Sequence, residues 1–186
     1  MLSEFQKEKL TKVFRLWDTD QNGFLELDDW VRISKRKAEL AGLSTETPEY
    51  QNLRSLYTGV WETLREHADT NRDERVSLDE FLMFLDKQIS AVGEISFEGL
   101  PDIIRALLEI IVTSADRDQD GKITVDDYAV FLSGWSGHDA AADAKARFER
   151  DDRDGDGYIS VEEMKQQVAE FVLSNNPEVP GISLFG

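Results

Sequence analysis

Apolar residues recur at helical spacing along most of the chain, and short acidic segments interrupt them. Phe5, Leu10, Val13, Phe14 and Trp17 mark a first amphipathic helix, with Ser3 as its N-cap and Gln6 completing a capping box. Trp30 and Ile33 begin a second helix; Tyr50, Leu53, Tyr57, Val60, Trp61 and Leu64 mark a third. Phe81, Leu82, Phe84, Leu85 and Ile89 give a fourth, and Ile103, Ile104, Leu107, Leu108 and Ile111 a fifth whose wide apolar surface predicts burial. Tyr128, Phe131, Leu132 and Trp135 follow, then an alanine-rich helix capped by Asp139 and running through Phe148, then Met164, Val168, Phe171 and Val172. Gly42 to Pro48, Gly93 to Pro101 and Gly134 to Gly137 read as breaks, and Pro101 suits a first helical turn. The run Lys35-Arg36-Lys37 reads as a solvated face near a helix C-terminus. The tail is broken by Pro177 and Pro180 yet ends apolar, which predicts that it packs on the core with Leu184 and Phe185 buried.

The acidic interruptions are four copies of one twelve-residue unit, beginning at Asp18, Asp69, Asp116 and Asp152. Residues 152–163, DRDGDGYISVEE, are the most complete copy. Oxygen side chains stand at positions one, three, five, nine and twelve (Asp152, Asp154, Asp156, Ser160, Glu163); Gly157 fills position six and Tyr158 offers its carbonyl at seven. This is the EF-hand loop: hard oxygen ligands on a tight coil, a residue that tolerates positive φ at the turn, and a closing carboxylate. The first loop supplies Asp18, Asp20, Asn22, Phe24 by its carbonyl, Glu26 and Asp29; the third supplies Asp116, Asp118, Asp120, Lys122 by its carbonyl, Thr124 and Asp127. The second supplies Asp69, Asn71, Asp73, Arg75 by its carbonyl, Ser77 and Glu80, but has Glu74 where the turn favours glycine. Position eight is apolar throughout (Leu25, Val76, Ile123, Ile159), which predicts a short cross-strand contact pairing loop one with two and three with four.

The pattern implies Ca²⁺ as ligand. Glutamate closes loops two and four, whereas the shorter aspartate closes one and three. Fewer oxygens in a tighter shell suit Mg²⁺, so loops 18–29 and 116–127 are expected to be mixed Ca²⁺/Mg²⁺ sites and loop four Ca²⁺-preferring.

Charge changes the picture in one respect. The chain of 186 residues has a formal net charge of −17. The four loops hold 20 acidic and five basic residues, so −15 lies where cations would sit and only −2 elsewhere. Nucleic acid is therefore not expected as a partner. A hydrophobic content of 40% and ten phenylalanines suffice for a sizeable core. With no cysteine, thiolate metal sites and disulfides are excluded. Neither a signal peptide nor a membrane span is read, and the expectation is a soluble, cytoplasmic monomer. No nucleophile–base set or phosphate loop stands out, so enzyme chemistry is not expected.

The four loops, the long first-half connection, the glycine-less DTNRDERVSLDE, and Ser174-Asn175 with the final Leu184-Phe185-Gly186 resemble the sarcoplasmic calcium-binding proteins and their calexcitin-like members. The resemblance covers nearly the whole chain. It implies an all-α fold, with four EF-hands in two pairs packed as one compact globule, and Ca²⁺ binding at loop 69–80 despite Glu74. Loop four, complete here, departs from the calexcitin-like pattern. The expected organisation is an N-terminal pair over residues 1–92, a linker at 93–100, a C-terminal pair over 101–174 and a packed tail from 175 to 186. Scarce methionine (Met1, Met83, Met164) favours an intracellular Ca²⁺ buffer over a sensor that opens a groove for a partner protein. A luciferin-binding photoprotein is disfavoured, because only His67 and His138 are available.

Overall fold

A helix enters and a helix leaves each of the four acidic loops. The computed structural model describes residues 1–136, 141–179 and 181, with backbone alone for Ser136 and residues 141–143. In chain order the elements are α1 (Glu4–Trp17), β1 (Phe24–Leu25), α2 (Leu27–Leu40), α3 (Pro48–Ala68), β2 (Val76–Ser77) and α4 (Leu78–Ile89), then α5 (Asp102–Thr113), β3 (Lys122–Ile123), α6 (Val125–Ser136), α7 (Ala141–Asp151), β4 (Ile159–Ser160) and α8 (Val161–Leu173). The fold is all-α: four helix–loop–helix hands in two pairs. No helix among the described residues is long and apolar enough to cross a membrane.

The hands pair through two-residue antiparallel ladders. Leu25 stands opposite Val76 and Ile123 opposite Ile159, and all four side chains are fully buried. The position-eight pattern thus predicts the pairing. A second contact, not anticipated, joins position seven across each ladder. The Arg75 guanidinium lies 4.4 Å from the centroid of Phe24, and Lys122 Nζ lies 4.2 Å from that of Tyr158.

Two compact units result. The first comprises Met1–Ser90 and Gly134–Gly137. The expected faces of α1 to α4 supply its core, and Trp17 is a hub, with ring centroids 5.0 Å from Trp30, 5.8 Å from Phe81 and 6.1 Å from Trp135. The second comprises Ala91–Ser133 and His138–Gly186. Here α5 packs on α8, and Ile104, Ile111, Phe131, Met164, Val168 and Phe171 are buried. Phe97 and Leu100, read from the sequence as part of a linker, are buried too.

Local chemistry starts the helices. Ser3 and Gln6 form the expected capping box, and Ser77–Glu80 and Ser160–Glu163 form two more at the exits of loops two and four. Thr47 caps α3 with Pro48 in its first turn. Pro101 differs from expectation: it is the N-cap of α5, one residue before the first turn. Residues 175–178 are exposed, while Gly181 is buried and donates its N–H to Glu170 Oε2 at 3.1 Å. A Cβ at Gly181 would stand 2.4 Å from the Gln167 carbonyl, so only glycine fits there. The Asp139 cap, His138, Leu184 and Phe185 lie outside the described residues.

The basic run of α2 requires a correction. Lys35 is exposed and Arg36 half-buried, but Lys37 is buried. It falls on the same helical face as Trp30, Ile33 and Ser34, and this periodicity outweighs its charge. Its Nζ stands 4.4 Å from the Trp135 ring centroid and 5.4 Å from that of Tyr57, and its stem passes where a side chain at Gly134 would be. Burial lowers its pKa from 10.5 to about 7.

Between those values the unfolded chain carries the extra proton, so the Lys37 contribution to stability rises with pH from about 7 to about 10.5. The substitution Lys37→Met should therefore stabilise the fold by on the order of 1–3 kcal/mol at pH 6, with the gain shrinking by pH 9.5. Urea denaturation of both proteins at the two pH values checks this.

All four loops turn through left-handed residues at positions four and six: Gln21 and Gly23, Arg72 and Glu74, Gln119 and Gly121, Gly155 and Gly157. Glu74 holds φ +65°, a conformation that disfavours a Cβ. Glu74→Gly is expected to stabilise the ion-free protein by about 1 kcal/mol, readable as a higher urea midpoint at unchanged slope.

Candidate metal centres

The position-one aspartate organises every loop. One of its oxygens accepts the N–H of position six: Asp18 from Gly23 at 2.9 Å, Asp69 from Glu74 at 3.0 Å, Asp116 from Gly121 at 2.9 Å and Asp152 from Gly157 at 2.9 Å. The left-handed turn aims that N–H inward, which is why position six tolerates little besides glycine. Position five accepts from position seven in each loop: Asn22 from Phe24 (2.8 Å), Asp73 from Arg75 (3.1 Å), Asp120 from Lys122 (2.8 Å) and Asp156 from Tyr158 (2.9 Å). Each of these ligand candidates is held by the loop's own backbone, and Asp18, Asp69 and Asp152 accept backbone N–H groups through both oxygens.

The outcome is a convergence of negative oxygens. Asp18, Asp20 and Asp29 offer carboxylate oxygens all within 4.8 Å of one another, as do Asp116, Asp118 and Asp120, and Asp152, Asp154 and Asp156. Among the described residues no such group of three contains Asp69, Asp73 or Glu80, whose loop has the neutral Asn71 at position three. In loop three the Asp116 Oδ1 atom is buried and accepts no hydrogen bond. A buried carboxylate oxygen without a donor is costly, and a hard cation at that position would offset it. The donors are all oxygens, which fits Ca²⁺ or Mg²⁺ and not a thiophilic metal.

The closing carboxylates also serve the exit helices. Glu163 Oε2 accepts from the Ser160 N–H and hydroxyl at 2.8 and 2.9 Å, and Asp127 Oδ2 from those of Thr124 at 3.1 and 2.6 Å. Asp29 Oδ2 accepts the Glu26 N–H at 3.0 Å. Glu80 is the most heavily bonded: Oε2 accepts from the Ser77 N–H and hydroxyl, and Oε1 from the Thr70 N–H and hydroxyl and from Asn71. Burial alone would raise its pKa, but the bonds from Ser77 and Thr70 outweigh it and bring the carboxyl down to about 2. For Asp29 burial prevails, against bonds from Thr19 and Glu26, and its pKa is raised. Asp29 also belongs to its loop's converging trio, whereas Asp127 and Glu163 do not.

Position two is a contributor that the ligand pattern did not flag. Thr19 and Thr70 donate their hydroxyls to the closing carboxylates at 2.7 and 2.8 Å. Arginine takes that place in the second unit. Arg117 Nε lies 3.5 Å from Asp127 Oδ1, while Arg153 turns away to Glu170, at 3.1 and 2.6 Å. The signal was available: threonine recurs at position two in the first pair of loops, and arginine in the second.

Comparison with known proteins agrees with this architecture. The family pattern described as an EF-hand domain pair matches residues 92–134, and that described as EF hand matches residues 144–169. Calerythrin of Saccharopolyspora erythraea is 26% identical over 171 residues, covering 92% of this chain and 94% of that protein. The sarcoplasmic calcium-binding protein of Scylla paramamosain is 27% identical over 175 residues, covering 92% and 89%. The solved structure of an amphioxus sarcoplasmic calcium-binding protein superposes with a TM-score of 0.76 at 22% identity, covering 100% of this chain and 98% of that one. With its four loops and paired hands, the chain has the EF-hand architecture and is similar over most of its length to proteins of the sarcoplasmic calcium-binding type.

Proposed function

We propose that the chain binds Ca²⁺ at its four loops and acts as an intracellular Ca²⁺ buffer. The observation that carries this reading is the buried, donor-less Asp116 Oδ1 within a set of converging carboxylates. The relatives' names, which describe calcium-binding proteins, support it. The ligands are Asp18, Asp20, Asn22, Phe24 and Asp29; Asp69, Asn71, Asp73, Arg75 and Glu80; Asp116, Asp118, Asp120, Lys122 and Asp127; and Asp152, Asp154, Asp156, Tyr158 and Glu163. Phe24, Arg75, Lys122 and Tyr158 act through their carbonyls.

Loops 18–29 and 116–127, closed by aspartate, take Mg²⁺ as well as Ca²⁺; loop 152–163 prefers Ca²⁺. Four divalent ions bring the net charge from −17 to −9, so folding and binding are linked. Buffering is favoured over sensing because large side chains suited to a target groove are buried, including Trp17, Trp30, Trp61, Trp135 and Phe171. Among the described residues the exposed large apolar side chains are Met1, Leu27, Leu40, Leu56, Met83, Ile95, Val125 and Tyr158, and with two methionines among them they do not make the methionine-rich lining of a target groove.

Calorimetric Ca²⁺ titration with and without millimolar Mg²⁺ should show Mg²⁺ weakening Ca²⁺ binding at some sites; unchanged affinity at all of them would remove the mixed-site assignment. Asp116→Asn is expected to weaken one site at least tenfold while leaving the others intact. An apolar-surface dye added to the Mg²⁺-loaded protein should stay dim as Ca²⁺ binds, and a large rise would replace the buffer by a sensor.

A further inference from the structure

Loop one has a cation at a place on its exit helix that is uncharged in the other three hands, and that cation meets two ligand carboxylates where Arg75 and Arg117 each meet one at 3.5 Å. Arg32, on α2, points its Nη1 at Asp20 Oδ2 (3.1 Å), Asp29 Oδ1 (3.3 Å) and Thr19 Oγ1 (3.2 Å). Asp20 and Asp29 belong to the converging carboxylates of this loop, so a cationic side chain bonds two members of the set. The residues at the same place in the other hands are Met83, Val130 and Gln166, none of them charged. Gln166 bonds instead to the Ile95 carbonyl and Glu170. Arg32 is about 43% exposed and so has a solvent path by which to leave its two carboxylates.

We propose that Arg32 is a resident counter-ion that sets the affinity and filling order of loop one. This rests on the reading of loop one as an ion site. The guanidinium partly neutralises the carboxylates and occupies lone pairs on Asp20 and Asp29 that a divalent ion needs. Ion binding must displace it or accept its repulsion. Loop one therefore fills after loops three and four. The opposing possibility is that Arg32 steadies Asp29 in its coordinating pose, and this predicts the opposite sign when the arginine is removed.

The test uses the full chain and the substitutions Arg32→Met, which copies the hand-two residue, and Arg32→Lys. Amide resonances of Gly23, Gly121 and Gly157 report loops one, three and four separately, because each N–H donates to its loop's first aspartate. In Ca²⁺ titrations at constant KCl, Arg32→Met should tighten the Gly23 response about tenfold and steepen its salt dependence, with Gly121 and Gly157 unmoved. Arg32→Lys should lie between, a point charge being a poorer partner for two carboxylates. Unchanged or weaker binding at Gly23 in Arg32→Met overturns the proposal. If Gly23 responds in neither protein, loop one is no ion site and both readings fail; a response in Arg32→Met alone supports the counter-ion role.

Discussion

Carboxylate repulsion is the constraint around which this molecule is built. Three sets of acidic side chains are held with oxygens within 4.8 Å of one another, at distances where like charges oppose folding. Backbone N–H groups make such crowding tolerable. Each loop turns the N–H of position six onto its first aspartate and that of position seven onto the fifth residue, so fixed partial positive charges line the inside of the coil. The left-handed backbone at positions four and six is the geometric condition for this. Where Glu74 replaces glycine, the loop keeps the geometry at the expense of strain.

A strained coil of this kind does not stand alone, and the paired arrangement supplies its support. The fully buried couples Leu25–Val76 and Ile123–Ile159 tie each loop to its neighbour, and a cation stacked on an aromatic ring reinforces each tie. Behind the loops, each unit has its own apolar filling. In the first, the indole of Trp17 joins residues from α1, α2, α4 and the end of α6; in the second, α8 presents Met164, Val168 and Phe171.

Much of this was legible because the loop chemistry is local. Ligand spacing, the turn glycines and the apolar position eight are fixed by contacts within twelve residues or across one ladder, so the sequence displays them. Features set by distant packing were hidden. Lys37 reads as part of a solvated basic run, and the rings that receive it on the buried face of α2, Tyr57 and Trp135, lie far along the chain. Phe97 and Leu100 sit in a stretch rich in glycine and turn residues, and nothing local marks them as core. Left-handed backbone at position four is signalled by glycine only at Gly155, since Gln21, Arg72 and Gln119 carry no such mark. Arg32 escaped because it lies beyond the twelve-residue window in which the ligands are sought.

The closing carboxylates have a consequence for how such loops are read. Glu80 and Glu163 complete the capping boxes that start α4 and α8, and Asp127 likewise holds the N–H and hydroxyl of Thr124. Removing one of these side chains would injure a helix terminus as well as an ion site. Selection for a sound helix start alone would therefore preserve an acidic residue at position twelve, even in a hand that had stopped binding anything. Of all the positions in the loop, the last is the poorest witness to occupancy, and the donor-less oxygen of Asp116, which no helix requires, is a better one.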